Sequence, residues 1–278
     1  MGNGVLSVRA ALHMSIAALF LGICAAPAYA RQDSTISRDS DAGSDVRTVL
    51  HDAGTIFSAP VRFDRDQWIE TGAVVAVTAL AFTVDDDIRS LALRNESRIG
   101  GDFADVGRAY GGVLNAIAIS GCIYVGGLAL GSDDVRMAGL EASESIVFAG
   151  VTTVVLKSVF GRSRPFLEEG PTRFYGFRSN FEYTSLPSGH TTVAFALSSS
   201  LAGRISNTWA KAGLYSLAAI TACSRVYDDE HWFSDTILGA AIGTSVGMSI
   251  SHAHRDESTQ SSLRVEPSLK GIRLVYTF

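Results

Sequence analysis

At 278 residues and 47% hydrophobic content, the chain is long enough for one substantial domain with a sizeable core. A formal charge of −5, with no basic stripe, excludes nucleic acid as the main partner. Abundant glycine (27) and scarce proline (6) suit closely packed helices and argue against a β-sandwich.

Residues 1–30 read as an export signal. Arg9 and His13 precede a short apolar run over 14–24, and Ala28-Tyr29-Ala30 makes a small-x-small cleavage site. The run is too short, and too soon followed by Ala-Pro-Ala, for a first transmembrane helix. Ile23 before Cys24 argues against lipoprotein processing, so the mature chain starts near Arg31, beyond the bacterial inner membrane. Residues 31–60 follow as a polar, flexible segment ending in a short amphipathic helix. In that helix Val46, Val49, Leu50 and Ile56 share a face, and Pro60 ends it. It either caps the domain or lies on a membrane surface; its polar face is not notably basic, which favours capping.

The region 61–255 carries six apolar runs, at 72–84, 111–131, 145–156, 191–203, 212–223 and 236–250. They predict an all-α helical bundle of about six core helices, with Asp85-Asp86-Asp87 closing the first run and Gly131-Ser132-Asp133 the second. Residues 160–186 are too polar and too broken by Gly and Pro for a helix. They form a large loop of the kind that contacts substrates. Only 111–131 comfortably reaches the roughly 20 residues of a membrane span. Two readings stay open: a compact helical domain in the periplasm, free or associated with the membrane, which the short runs favour, and helices that span the membrane. Cys122 and Cys223 sit in apolar runs and are expected as buried free thiols. Residues 256–278 form a polar stretch and a C-terminal β-hairpin. Ile272, Leu274, Tyr276 and Phe278 share one face, which packs on the helices or tethers the chain to an outer membrane. His252 and His254 are expected to be solvated.

Three short patterns carry the chemistry. Lys157, Arg164 and Pro165 fall at K-x6-R-P; Pro187-Ser188-Gly189-His190 follows; Arg225, His231 and Asp235 close the set at S-R-x5-H-x3-D. In a helix, His231 and Asp235 would sit one turn apart, and a carboxylate beside an imidazole prepares its far nitrogen as nucleophile or base. Arginines supply the donor fork that matches phosphate oxygens. No H-E-x-x-H, Cys-x-x-Cys or clustered Asp/Glu/His set suggests a two-metal centre, so no metal and no cofactor are expected.

In order and spacing, the three patterns resemble the signature of the type 2 phosphatidic acid phosphatase / vanadium haloperoxidase superfamily, over roughly residues 145–247. That resemblance implies a phosphatase acting on a phosphomonoester or diphosphate, a lipid phosphate before others, through a phosphohistidine intermediate. It assigns His231 as nucleophile, Asp235 as its partner and His190 as general acid and then base. Lys157, Arg164 and Arg225 would balance the phosphate charge, with Ser188 and Gly189 adding a hydroxyl and backbone N–H groups. Arg162 is an extra cation, at the surface or behind the site. Two other functions fit the same residues: a vanadate-dependent haloperoxidase, and a non-catalytic envelope scaffold or lipid-binding protein. Asp228-Asp229-Glu230 stands directly before His231. These acids are expected to be exposed; turned inward they would raise the imidazole pKa, which predicts an acidic-to-neutral pH optimum.

Overall fold

The computed structural model describes residues 42–259, 263–268 and 271–276. The export signal and residues 31–41 of the polar segment therefore lie outside the described residues. The first helix, α1 (Ala42–Ser58), starts inside the segment expected to be flexible. It docks on the bundle through both apolar and polar contacts. Ile56 enters the main core with Val49 and Ala53 against it, while Asp45 accepts hydrogen bonds from Arg136 Nη1 (2.6 Å) and Tyr124 (2.8 Å). Its Val46 and Leu50 stay exposed.

Eight further helices follow among the described residues: α2 (Arg65–Phe82), α3 (Asp85–Arg94), α4 (Arg98–Gly111), α5 (Val113–Leu130), α6 (Asp133–Phe160), α7 (Gly189–Arg204), α8 (Thr208–Tyr227) and α9 (Phe233–Thr259). The fold is all-α, and every apolar run expected to be helical is helical. Local chemistry sets the boundaries. Asp64 and Gln67 form a reciprocal capping box at the start of α2, and Asn207 caps α8. Gly131, at φ 63°, ends α5 in the left-handed conformation.

Two helices were not foreseen. Asp85-Asp86-Asp87 does not close a run; it opens α3, where three acids stand at the positive end of the helix dipole. Helix α4 is rich in Gly and polar residues and holds no continuous apolar run, but its few apolar residues recur at helical spacing, Ser97 caps it and it packs along α8. Its Gly107 lies so close to α8 that a Cβ would fall 2.7 Å from Ile220 O.

The bundle is built on close crossings. Helices α5 and α6 meet at Gly127 and Gly139, where a Cβ would fall within 2.3 Å of the facing backbone. Helices α7 and α9 run side by side, and Gly243 on α9 lies against Thr192 O of α7. Phe148, Leu156, Leu186, Leu238, Ile242 and Ile250 form the main core between α6, α7 and α9. Ala116, Ile146, Val193 and Leu197 form a second cluster shared with α5.

Two helices, α5 and α6, are long and apolar enough to cross a membrane, or three spans if α2 and α3, bent by 56°, count as one. At 1.5 Å per residue, α5 is about 27 Å long, close to a hydrocarbon thickness. Leu114, Val125 and Leu130 of α5, and Val147, Val151 and Val154 of α6, face outward. Cys122 and Cys223 are free, as expected, but exposed rather than buried, because they occupy outward faces of apolar helices. The terminal strands β1 (Leu263–Ser268) and β2 (Gly271–Tyr276) pair antiparallel, from Leu263 opposite Tyr276 to Ser268 opposite Gly271.

Candidate active site

The residues of the three patterns come together where α6, α7 and α9 meet the loop between α6 and α7. Gly161, at φ 58°, terminates α6 and turns the chain into that loop. Lys157, in the last turn of α6, donates through Nζ to the carbonyl of Thr184 and lies 3.5 Å from that of Ser185. Ser185 N in turn donates to Arg162 O (3.1 Å), so the first pattern holds the approach to the second. Ser188 N donates to Asp235 O (3.0 Å), which fastens the Pro-Ser-Gly-His turn to α9. Helix α7 opens at Gly189, which lies beside Lys157: a Cβ there would fall 3.7 Å from Lys157 Cε, in ordinary contact. The amides of its first turn add a site for anions.

His231 is buried, in the turn between α8 and α9 rather than inside a helix, since α9 starts at Phe233. Its own N–H donates to Arg225 O (3.2 Å). Asp235 is nonetheless its neighbour: Nδ1 lies 3.5 Å from Oδ2, long for a hydrogen bond, and Nδ1 has no hydrogen-bond partner among the described residues. Asp235 Oδ2 accepts from Trp232 N (2.9 Å) and from Ser185 Oγ. The carboxylate thus closes the turn as well as facing the imidazole.

The ring of cations is equally specific. Arg164 donates to Phe181 O (2.9 Å) and to Glu230, with its guanidinium over the Phe181 ring at 3.8 Å. Arg225 pairs with Asp228, which also accepts from Arg108 (2.5 Å). Asp229, at φ 58°, takes both oxygens to Arg89 (2.6 and 2.8 Å). The three acids before His231 are therefore neither exposed nor turned on the imidazole; each is claimed by an arginine. Burial, then the positive charge of Lys157, pushes His231 down to about 3, the opposite of the expected direction. Burial, then Arg225, Lys157 and Arg164, lowers His190 to about 4. The charges of Lys157 and Arg164 contribute to the lowering of both imidazoles. Burial works against the charge of Asp235, but Arg162 and its other partners hold its carboxyl far below the usual carboxylate range.

Four residues that complete the site were missed or left open by sequence reasoning. Arg162 is fully buried, which decides between the two placements the sequence left open: it stands behind the site and not at the surface. Its Nη1 donates to Asp235 (2.5 Å) and Ser234 (2.7 Å), its Nη2 to Asp85 (2.7 Å), and the Phe82 ring lies 4.0 Å from the guanidinium. Asp85 also accepts from Ser234 N (2.8 Å) and Ser234 Oγ (2.6 Å). With Ser185 on the other carboxylate oxygen, these groups fix Asp235 from behind. Arg162 could have been flagged by its place inside the first pattern; no local signal pointed to Asp85, Ser185 or Ser234.

A helical bundle that gathers two histidines, an aspartate and a set of phosphate-matching cations defines a class. Residues 138–258, the stretch that carries all three patterns, match the family model of the PAP2 superfamily. Among curated proteins, a lipid A 1-phosphatase of Porphyromonas gingivalis is 32% identical over 181 residues, 63% of this chain and 36% of that protein. The chain thus spans about a third of the length of that relative. Similar solved structures include LpxE of Aquifex aeolicus, with TM-score 0.45 and 22% identity over 61% of this chain and 95% of that one. A transmembrane PAP2 type phosphatidylglycerolphosphate phosphatase from Bacillus subtilis has TM-score 0.44 and 15% identity, over 78% and 96% of the two chains.

Proposed function

We propose that the chain is a phosphatase of lipid phosphates, working through a phosphohistidine and without a catalytic metal. The observation that carries this reading is geometric: the Asp235 carboxylate, fixed by Arg162 and Ser185, stands 3.5 Å from Nδ1 of the buried His231, and the turn that bears His190 is fastened to Asp235 through Ser188 N, whereas no carboxylate pairs with His190 among the described residues. That asymmetry separates their roles. His231, kept neutral, attacks phosphorus through Nε2 as Asp235 stabilises the positive charge developing on the ring. His190 protonates the departing oxygen, then takes a proton from the water that cleaves the phosphohistidine. Among these cations His190, lowered to about 4, is neutral at pH 7. The arriving phosphate offsets the cations that depress it, so protonation of His190 is coupled to substrate binding. Arg164 and Arg225 spend only part of their five donors on Glu230 and Asp228, leaving N–H groups for the equatorial oxygens.

A lipid substrate is favoured by the outward apolar faces of α5 and α6, which suit a membrane, and by the lipid substrate of the P. gingivalis relative. The site would then work at the membrane surface, on the outer side if residues 1–30 direct export. The test is phosphate release in detergent micelles from phosphatidate, a polyprenyl diphosphate, a lipid A-type disaccharide 1-phosphate and simple sugar phosphates, with and without chelator. Release from a lipid substrate, undiminished by chelator, trapped as an acid-labile phosphoenzyme and abolished in His231→Ala, is the expected result. Hydrolysis surviving in His231→Ala would overturn the assignment, and peroxide-driven halide oxidation after vanadate loading would replace it with a haloperoxidase.

A further inference from the structure

Away from the phosphate pocket, the bundle brings together a second set of side chains with ligating atoms: Asp52 on α1, Glu144 on α6 and His254 on α9. All three are buried, so His254 is not the solvated residue its polar surroundings in sequence suggested. His254 Nε2 lies 2.8 Å from Asp52 Oδ2 and 3.3 Å from Glu144 Oε2, and one ligand atom from each residue falls within 4.8 Å of the others. Glu144 Oε1, the remaining oxygen, is buried with no hydrogen-bond partner among the described residues. A carboxylate oxygen stranded in this way is costly unless something cationic answers it. The neighbouring cations do not: a protonated His254 meets Glu144 through Oε2 (3.3 Å), and Arg204 is committed to Glu141 (2.9 Å), whose own oxygen stands 4.0 Å from His254 Nδ1.

We propose that Asp52, Glu144 and His254 bind a divalent cation of the zinc class, which clamps α1 onto α6 and α9. One imidazole nitrogen and two carboxylates form the mixed N/O donor set that such ions accept, and two carboxylates neutralise the charge. The spacing agrees. Ligands about 2.05 Å from a tetrahedral ion stand about 3.3 Å apart. The His254–Glu144 separation is already 3.3 Å, and Asp52, at 2.8 Å, has only to withdraw by about half an ångström. Glu144 Oε1 or a water completes the coordination. The imidazole must be neutral to ligate, so binding expels the proton shared with Asp52. The three ligands come from segments far apart in sequence, so the ion would act as a cross-link. Helix α1, held otherwise by Ile56, Val49, Ala53, the Phe57–Phe148 ring contact and the Asp45 ion pair, would gain a further anchor from it.

The test uses the whole chain in detergent, stripped with chelator and titrated with zinc. Metal content after desalting is measured by mass spectrometry, and Tm by circular dichroism. One zinc retained per chain, with Tm raised by about 5 °C or more, is the expected result. Glu144→Gln and Asp52→Asn should each abolish retention and flatten the Tm response. Should Glu144→Gln fail to fold, the native chain and Asp52→Asn still decide. Two results overturn the proposal. Stripped native protein that retains no zinc and keeps its Tm would leave a protonated imidazole between two carboxylates. Variants that still retain one zinc would place the ion elsewhere. Neither variant touches the phosphate site, so loss of zinc without loss of phosphate release separates this site from the catalytic one.

Discussion

Replacing Arg162 by lysine tests whether the site is held from behind by a guanidinium fork. In the native structure one side chain reaches two carboxylates with different nitrogens: Nη1 to Asp235 at 2.5 Å and Nη2 to Asp85 at 2.7 Å, all with no solvent exposure. A lysine keeps the charge but offers one nitrogen, so it can serve one carboxylate and must leave the other short of a partner. A hydrogen bond to a charged group contributes about 1.5–3 kcal/mol, and the unserved acid adds its desolvation penalty. Arg162→Lys should therefore cost about 2–4 kcal/mol. For a chain of this size that is a Tm fall of roughly 4–15 °C. Methionine would leave both carboxylates uncompensated and cost about 3–5 kcal/mol or more, a large part of a typical total stability. The loss should reach catalysis, because Asp235 orients His231. Thermal unfolding in detergent and kcat on a lipid phosphate, measured on the same Arg162→Lys preparation, read both effects, and Asp85→Asn in the Arg162→Lys background should cost much less than in the native chain. A Tm within 1 °C of native, together with unchanged kcat, would refute the account of the fork.

Three other outcomes are expected. Asp228 raises the pKa of His190, so Asp228→Asn should move the basic limb of the kcat–pH profile to lower pH, and an unmoved limb would remove His190 as the general acid. Gly243→Ala puts a methyl 2.3 Å from Thr192 O and should cost about 1–3 kcal/mol by forcing α7 from α9, whereas exposed Gly54, with nothing within 4 Å, should gain about 0.5–1 kcal/mol as alanine. Chemical unfolding would show the contrast, and equal effects would mean the crossing is looser than described. The folded-state pKa of His231 lies near 3, below the usual 6.5 or so, so only the unfolded chain takes up this proton between those values. Stability should then fall as pH drops from about 6.5 towards 3, by an amount approaching 5 kcal/mol, and the slope should flatten in His231→Gln. An identical slope in that variant would contradict a neutral buried imidazole.

The sequence by itself determined the helices built on the six apolar runs, because an apolar run of helical length carries its own signal; α3 and α4, which hold no such run, were not legible. It also named the candidate residues of the three patterns, though not Asp85, Ser185 or Ser234 behind them, because spaced patterns survive any arrangement of the intervening chain. The loop after Lys157 and the turn at Gly131 were legible too, since Gly, Pro and polar clusters act over a few residues. Tertiary structure decided the rest. Arg162 meets Asp85 across 77 residues and Ser234 meets Asp85 across 149. Asp52 meets His254 across 202, a contact that no local periodicity encodes. It also decided the sign of the charge effects. Beside His231 the acidic triplet looks like a source of negative potential, but Arg225, Arg89 and Arg164 consume it, and burial leaves the imidazole neutral. A pKa depends on what surrounds a group in three dimensions, and neighbours in sequence are only a part of those surroundings.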